Sequence, residues 1–150
     1  MKKKILEMLA IMLATGMIVS LLVCMRCKAI DTTETYIPYS QVQLCQKYGK
    51  QYGIQPEVLM AMIEVESSGR MSATYKNCYG IMQINADVWG WSYDTEEKQI
   101  DKACQLLISY DCEIDQALSR YNGQSNPHYD GYVQKVLSRS HALEQLHYQY

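Results

Sequence analysis

The apolar residues of this chain recur mainly at helical spacing. Gly53 closes a first helical segment, and Pro56 stands where proline suits the start of a second helix. The nearly unbroken apolar run from Val58 to Val65 predicts that this second helix is buried on most sides. The apolar face of the first segment consists of Val42, Cys45, Tyr48 and Tyr52.

Helical faces return after a stretch with little periodicity. Residues 69–92 contain three scattered glycines and are interpreted as a loop with short turns, whereas Asp94 and Glu97 have the spacing of a capping box. Strand signals are nearly absent, so we predict an all-α domain of about five helices around one core. The later apolar faces lie within residues 100–108, 114–121 and 129–137, and the last helix can continue to Leu146.

The first 29 residues have the pattern of a targeting segment. Three lysines at positions 2–4 precede an uncharged, mostly apolar run over residues 8–25. This run is longer than a signal-peptide core, which has about 7–15 residues, and is close to the roughly 20 residues that span a membrane. We interpret residues 1–29 as a signal peptide or a membrane anchor, with the rest of the chain outside the membrane. Residues 30–38 are then a linker, and residues 39–150 form the domain.

Removal of the targeting segment changes the charge balance. The remaining residues hold 9 basic and 15 acidic side chains, which gives a formal charge of −6. A negative net charge excludes long-range electrostatic attraction to nucleic acid or another anionic polymer. A substrate must therefore be held by local hydrogen bonds and stacking. The 13 tyrosines and 2 tryptophans, with no phenylalanine, are compatible with stacking on sugar rings.

Four cysteines lie beyond the apolar run. An even number in a small exported domain predicts two disulfides, with free buried thiols as the alternative. We favour Cys104 with Cys112 across a helix–helix turn, and Cys45 with Cys78. Neither these cysteines nor the histidines have metal-ligand spacing, so no metal or cofactor is expected.

Glu64 and Glu66 lie on the most apolar helix of the chain. Since they are two residues apart, their side chains point about 200° apart around the helix axis. Burial raises the pKa of a carboxyl group because it penalises the charged form. Glu66 is the last charged residue before the break at Ser67-Ser68-Gly69, which makes it the candidate proton donor; a solvated surface charge is the alternative.

Four motifs, in order, resemble soluble lytic transglycosylase (SLT) domains of the goose-type lysozyme-like superfamily. Residues 52–69 contain the Glu66-Ser67 pair at the end of a buried helix, and residues 79–84 resemble the family's G-L-M-Q motif with Ile in place of Leu. Residues 118–123 resemble the A-Y-N-x-G motif, and residues 131–137 resemble the closing helix. The resemblance covers about residues 39–139 and implies a compact lysozyme-like helical domain.

The resemblance implies cleavage of the β-1,4 bond between N-acetylmuramic acid and N-acetylglucosamine in peptidoglycan. Glu66 would act first as acid and then as base on the muramic 6-hydroxyl, which closes to a 1,6-anhydro end. Tyr121 would orient Glu66, and Gly80 would let the backbone approach the sugar. The residues implied to contact substrate are Ser67, Tyr79, Gly80, Met82, Gln83, Asn85, Tyr121 and Asn122.

Lysozyme-type hydrolysis is the main alternative, because glycoside hydrolases usually use two carboxylates. Goose-type lysozymes place an acid where this chain has Asn85, and no acid lies between Glu66 and Asp87. This absence favours internal cyclisation over hydrolysis. A non-catalytic glycan-binding module and a structural wall-anchored subunit are further alternatives. Besides peptidoglycan, a secretion, conjugation or phage assembly is the hypothetical partner.

Overall fold

The computed structural model describes residues 37–124 and 131–147. The predicted targeting segment and nearly all of the predicted linker lie outside these residues. Within the part that is described, no helix is both long enough and apolar enough to cross a membrane.

The described chain contains six helices and three two-residue strands. The helices are α1 (Tyr39–Tyr52), α2 (Pro56–Ser67), α3 (Ala86–Trp89), α4 (Glu96–Ser109), α5 (Ile114–Tyr121) and α6 (Gly131–His147). The strands are β1 (Thr74–Tyr75), β2 (Cys78–Tyr79) and β3 (Ile84–Asn85), which form one antiparallel sheet in the order β1-β2-β3. The predicted all-α class is confirmed, and the structure adds the short α3 and this small sheet in the region that was interpreted as a loop.

Helix α2 is the centre of the hydrophobic core. Pro56 starts it, where the fixed φ of proline fits the first turn and the missing N–H needs no partner. Leu59, Ala61 and Ile63 are fully buried, because α2 packs against both α1 and α6. The predicted burial on most sides is therefore confirmed. The helix ends at Ser68, which adopts a left-handed conformation with φ 53°.

Helix α4 begins one residue later than the predicted capping box. Thr95 is the N-cap, and its side chain accepts a hydrogen bond from the Lys98 backbone N–H. Asp94 lies just outside the helix, where its carboxylate accepts from the Lys98 side chain at 2.7 Å. The predicted role of Asp94 as cap is therefore wrong, although the helix and its amphipathic face are as predicted.

The predicted disulfides are absent from the structure, in which the four described cysteines are free thiols. Cys104 faces the core from the middle of α4, near Cys45 of α1, and both are fully buried. Cys112 follows the end of α4 and is only partly buried. Burial raises the pKa of the Cys104 thiol to about 12, which keeps the thiol protonated. Cys78 lies on β2 and is only partly buried.

Candidate active site

A cleft of about 380 Å³ opens beside the C-terminal end of α2. Its walls come from that helix end, the small sheet, α3, α4 and the end of α5. The structure thereby brings Glu66, Gln83, Asn85, Tyr121 and Asn122 together, as the motifs imply. The other lining residues are Tyr75, Cys78, Trp89, Leu106, Tyr110 and Gly123.

Glu66 is the only carboxylate among the described residues that line this cleft, and no described lysine or arginine lines it. Burial raises the pKa of Glu66 from 4.5 to about 7. At that pKa both the acid and the carboxylate are populated near neutral pH. A group in this state can donate a proton and take one back, as the sequence-based hypothesis for Glu66 requires.

Tyr132 is a site residue that the sequence did not reveal. Its periodic position predicts only a place on the apolar face of the last helix. In the structure its side chain on α6 lies beside the Glu66 carboxyl group, and this interaction lowers the pKa of Glu66 against the larger effect of burial. A hydroxyl donor stabilises a carboxylate more than a neutral acid, so Tyr132 favours the form of Glu66 that has given up its proton.

Tyr121 ties the end of α5 to the loop beneath the cleft. Its hydroxyl donates a hydrogen bond to the Met82 carbonyl at 2.7 Å. Burial raises the pKa of Tyr121 well above its usual value, and the nearby charge of Glu66 adds to this effect. Tyr121 is therefore a neutral anchor beside Glu66, and its hydroxyl proton is directed to a backbone carbonyl.

Two side-chain amides on the cleft use only part of their hydrogen-bonding capacity within the described protein. Gln83 donates through Nε2 to the carbonyls of Ala73 and Gly80, at 3.1 and 2.9 Å. Asn85 caps α3, with Oδ1 accepting from the Asp87 backbone N–H at 2.9 Å. The Gln83 oxygen and the Asn85 NH₂ group have no partner among the described residues, so both are available to a ligand.

Residues 43–112 match the family model of the transglycosylase SLT domain. This match identifies residues 43–112 as an SLT domain. The match runs from α1 to the turn after α4 and includes Glu66 and Gln83, whereas Tyr121 and Asn122 lie beyond it. At the family level the SLT domain is a lysozyme-like domain of the lytic transglycosylase type that acts on peptidoglycan. No curated protein matches the chain.

The structure does not place all of the expected substrate contacts on the cleft of the SLT domain. Ser67 is 3% exposed, and its hydroxyl lies within hydrogen-bond distance of the Ile63 and Ile81 carbonyls while accepting from the Gly69 N–H. Its role here is to join the end of α2 to the following loop. The implied contacts that do not line the cleft are Ser67, Tyr79, Gly80 and Met82.

Gln99 of α4 explains why Gly80 and Met82 face the protein instead. It is fully buried, its Oε1 accepts from the Met82 N–H at 2.9 Å, and its Nε2 donates to the Tyr79 and Tyr93 carbonyls. Gly80 has φ +77°, and a Cβ there would lie 1.9 Å from the Gln99 Nε2. The close approach that requires glycine is therefore made by Gln99. Sequence periodicity marks Gln99 only as a polar position next to Ile100.

The described part of the domain supplies no second acid to the cleft. Asp87 is exposed, pairs with the side chain of Asn77 and does not line the cleft. Glu64 forms an ion pair with Arg139 of α6, in which both of its oxygens are contacted by the guanidinium group. Among the described residues, no three histidine, cysteine or carboxylate side chains are grouped to hold a metal ion.

Proposed function

We propose that this protein is an exported peptidoglycan lytic transglycosylase that leaves 1,6-anhydro-N-acetylmuramic acid ends. One observation carries the proposal: Glu66 is the only carboxylate on the described lining of the cleft, and its pKa is about 7. A single acid of this kind can serve a reaction in which the substrate provides its own nucleophile. Hydrolysis through a second carboxylate would need a group that the described lining does not offer.

The first step is protonation of the glycosidic oxygen by Glu66. The bond between that oxygen and the anomeric carbon of N-acetylmuramic acid breaks, and N-acetylglucosamine leaves with a free 4-hydroxyl. Positive charge develops on the muramic ring, and the new Glu66 carboxylate lies beside it. The interaction with Tyr132, which lowers the pKa of Glu66, stabilises this carboxylate when it forms.

The second step is ring closure. The muramic 6-hydroxyl attacks the anomeric carbon and passes its proton to the Glu66 carboxylate. The product is a 1,6-anhydro ring, and Glu66 returns to its acid form without consuming water. A pKa near the working pH suits both steps, since a much stronger acid would be a poor base and a much weaker acid a poor donor.

The polar groups of the cleft provide the means to orient the sugar. The Gln83 oxygen can accept from an N-acetyl N–H or a hydroxyl, and the Asn85 NH₂ group can donate to a carbonyl or hydroxyl. Asn122 also lines the cleft, at the end of α5. We assign these three amides to substrate binding.

The site of action follows from the N-terminal pattern. We propose that residues 1–29 export the domain or anchor it outside the membrane, where peptidoglycan lies. A domain with one anchor suits local opening of the wall for a secretion, conjugation or phage assembly.

The test is the mass of the released fragments. Purified peptidoglycan is digested with the full-length chain, and the muropeptides are weighed. The proposal expects 1,6-anhydro ends; products heavier by one water would instead establish lysozyme-type hydrolysis. Binding to the wall without any released fragment would establish a non-catalytic module.

A further inference from the structure

Trp89 stands on the wall of the cleft at the end of the short helix α3. It is 40% exposed, although the surrounding backbone is well held. Asn85 caps the helix at one end, and at the other the Gly90 N–H donates to the Ala86 carbonyl at 2.8 Å. A large ring with this exposure on a fixed helix end is placed to contact whatever enters the cleft.

Lys102 of α4 supports this ring from the protein side. Its ammonium nitrogen lies 3.5 Å from the centre of the Trp89 ring and 5.7 Å from that of Tyr93. Lys102 itself is only 9% exposed. Leu106, one turn further along α4, lines the cleft, so Lys102 lies directly behind the wall that Trp89 and Leu106 form.

The charge of Lys102 has no anionic partner among the described residues. The ion pairs of the described chain join Lys47 to Glu97, Lys98 to Asp94 and Arg139 to Glu64. The aromatic rings therefore supply the attraction that holds the ammonium group. Cation–π attraction is strongest over tryptophan, so the ammonium group favours the orientation of the ring that faces it.

We propose that Trp89 is the stacking platform for one sugar ring of the glycan, and that Lys102 is the positioning residue that holds this platform. The inference rests on the proposed function and adds a binding residue that none of the motifs contains. The ammonium covers one face of the indole and leaves the exposed part of the ring to the cleft. The apolar face of a pyranose can pack on such a ring while its hydroxyls reach the amides nearby.

Trp91 offers a matched control. It is 67% exposed, does not line the cleft, and packs against Tyr79 with 4.7 Å between ring centres. Trp89 and Trp91 are the 2 tryptophans of the chain, so Trp91→Phe leaves Trp89 as the single indole fluorophore.

The experiment measures binding of a hexamer of β-1,4-linked N-acetylglucosamine to the full-length chain, made inactive by Glu66→Gln. Trp89→Ala is expected to weaken binding by about tenfold, which corresponds to roughly 1.4 kcal/mol. Lys102→Met keeps the length of the side chain but removes the charge, and should weaken binding severalfold, whereas Lys102→Arg should restore it. In the Trp91→Phe background, the hexamer should change the fluorescence of the remaining tryptophan.

Three results separate the outcomes. If Trp89→Ala binds the hexamer as well as the parent, or weakens binding no more than Trp91→Ala does, the assignment of Trp89 is wrong even when the active chain releases anhydro fragments. Equal binding by Lys102→Met and Lys102→Arg removes Lys102 from its positioning role. If the Glu66→Gln parent does not bind the hexamer and the chain with Glu66 intact does not cleave peptidoglycan, both this inference and the proposed function fail. Circular dichroism of each variant shows whether a loss of binding comes from loss of fold.

Discussion

The two glutamates of α2 lie in contrasting environments on different sides of the helix. Glu64 and Glu66 are two residues apart on one helix, and both side chains are largely removed from solvent. Glu64 meets Arg139 in a two-point ion pair, with the Glu64 side chain 9% exposed. Glu66 meets the Tyr132 hydroxyl and a cleft whose described lining holds no cation, and burial raises its pKa to about 7. The difference shows that burial makes a proton donor only where no opposite charge compensates it.

Replacing Glu66 or Glu64 with glutamine should produce the largest difference in wall-lytic activity. Glu66→Gln removes the proton donor, so we expect wall lysis to fall by about a thousandfold, within the range of general acid–base catalysis. Glu64→Gln leaves the donor in place and should keep lysis within a few-fold of the parent at a temperature where it is folded. Release of muropeptides from purified peptidoglycan measures both. Similar losses in the two variants would contradict the division of roles.

The free energy of unfolding should respond in the reverse order, with the larger loss in the Glu64 variant. Glu64→Gln leaves the partly buried Arg139 without its anion, which we expect to lower the free energy of unfolding by about 2–3 kcal/mol. Arg139→Met should cost a similar amount, because it removes the guanidinium group that contacts both oxygens of the largely buried Glu64 carboxylate. Urea unfolding at neutral pH measures the loss. A double variant, Glu64→Gln with Arg139→Met, that recovers part of it would confirm that the pair is the cause.

The raised pKa of Glu66 gives the native state a defined pH dependence. Because the folded pKa of about 7 lies above the usual 4.5, the fold binds this proton more tightly than the unfolded chain does. The resulting stabilisation is complete below about pH 4.5 and is lost as the pH rises through about 7, by up to about 3 kcal/mol. Glu66→Gln should remove this loss and unfold at higher urea than the parent at pH 8. Parallel pH profiles for the two proteins would mean that Glu66 is not buried as described.

The smallest effect concerns Tyr132. The interaction of its hydroxyl with Glu66 lowers the pKa of Glu66, so Tyr132→Phe should raise that pKa and move the alkaline limb of the activity profile to higher pH. Loss of this interaction with a charged group should also reduce kcat by about tenfold. The pH dependence of kcat separates this role from packing alone, since a packing defect would lower activity without moving the limb. Val133→Ala, at the neighbouring core position of α6, is the control.

Patterns that depend on near neighbours in the chain predict much of the fold. The apolar run of α2, its proline start and the helical spacing of the other segments correctly predict a domain of packed helices. The ordered motifs identify Glu66 and several of its neighbours on the cleft, because they encode which loops meet at the end of α2. The capping of α4 was predicted one residue early, since Asp94 and Thr95 are both good caps and only the backbone decides between them.

The sequence by itself thus determined that α2 is buried and that Glu66 stands at its open end. Only the tertiary structure decided which groups surround that end: Tyr132 from α6, Gln99 behind the loop of Gly80, and Lys102 beneath Trp89. It also decided that the four described cysteines are free thiols, because a count of cysteines does not tell which of them meet in the fold. The physical reason is the same in each case. Periodicity tells which face of a helix is apolar, but the partner that meets this face comes from a distant segment and is chosen by packing.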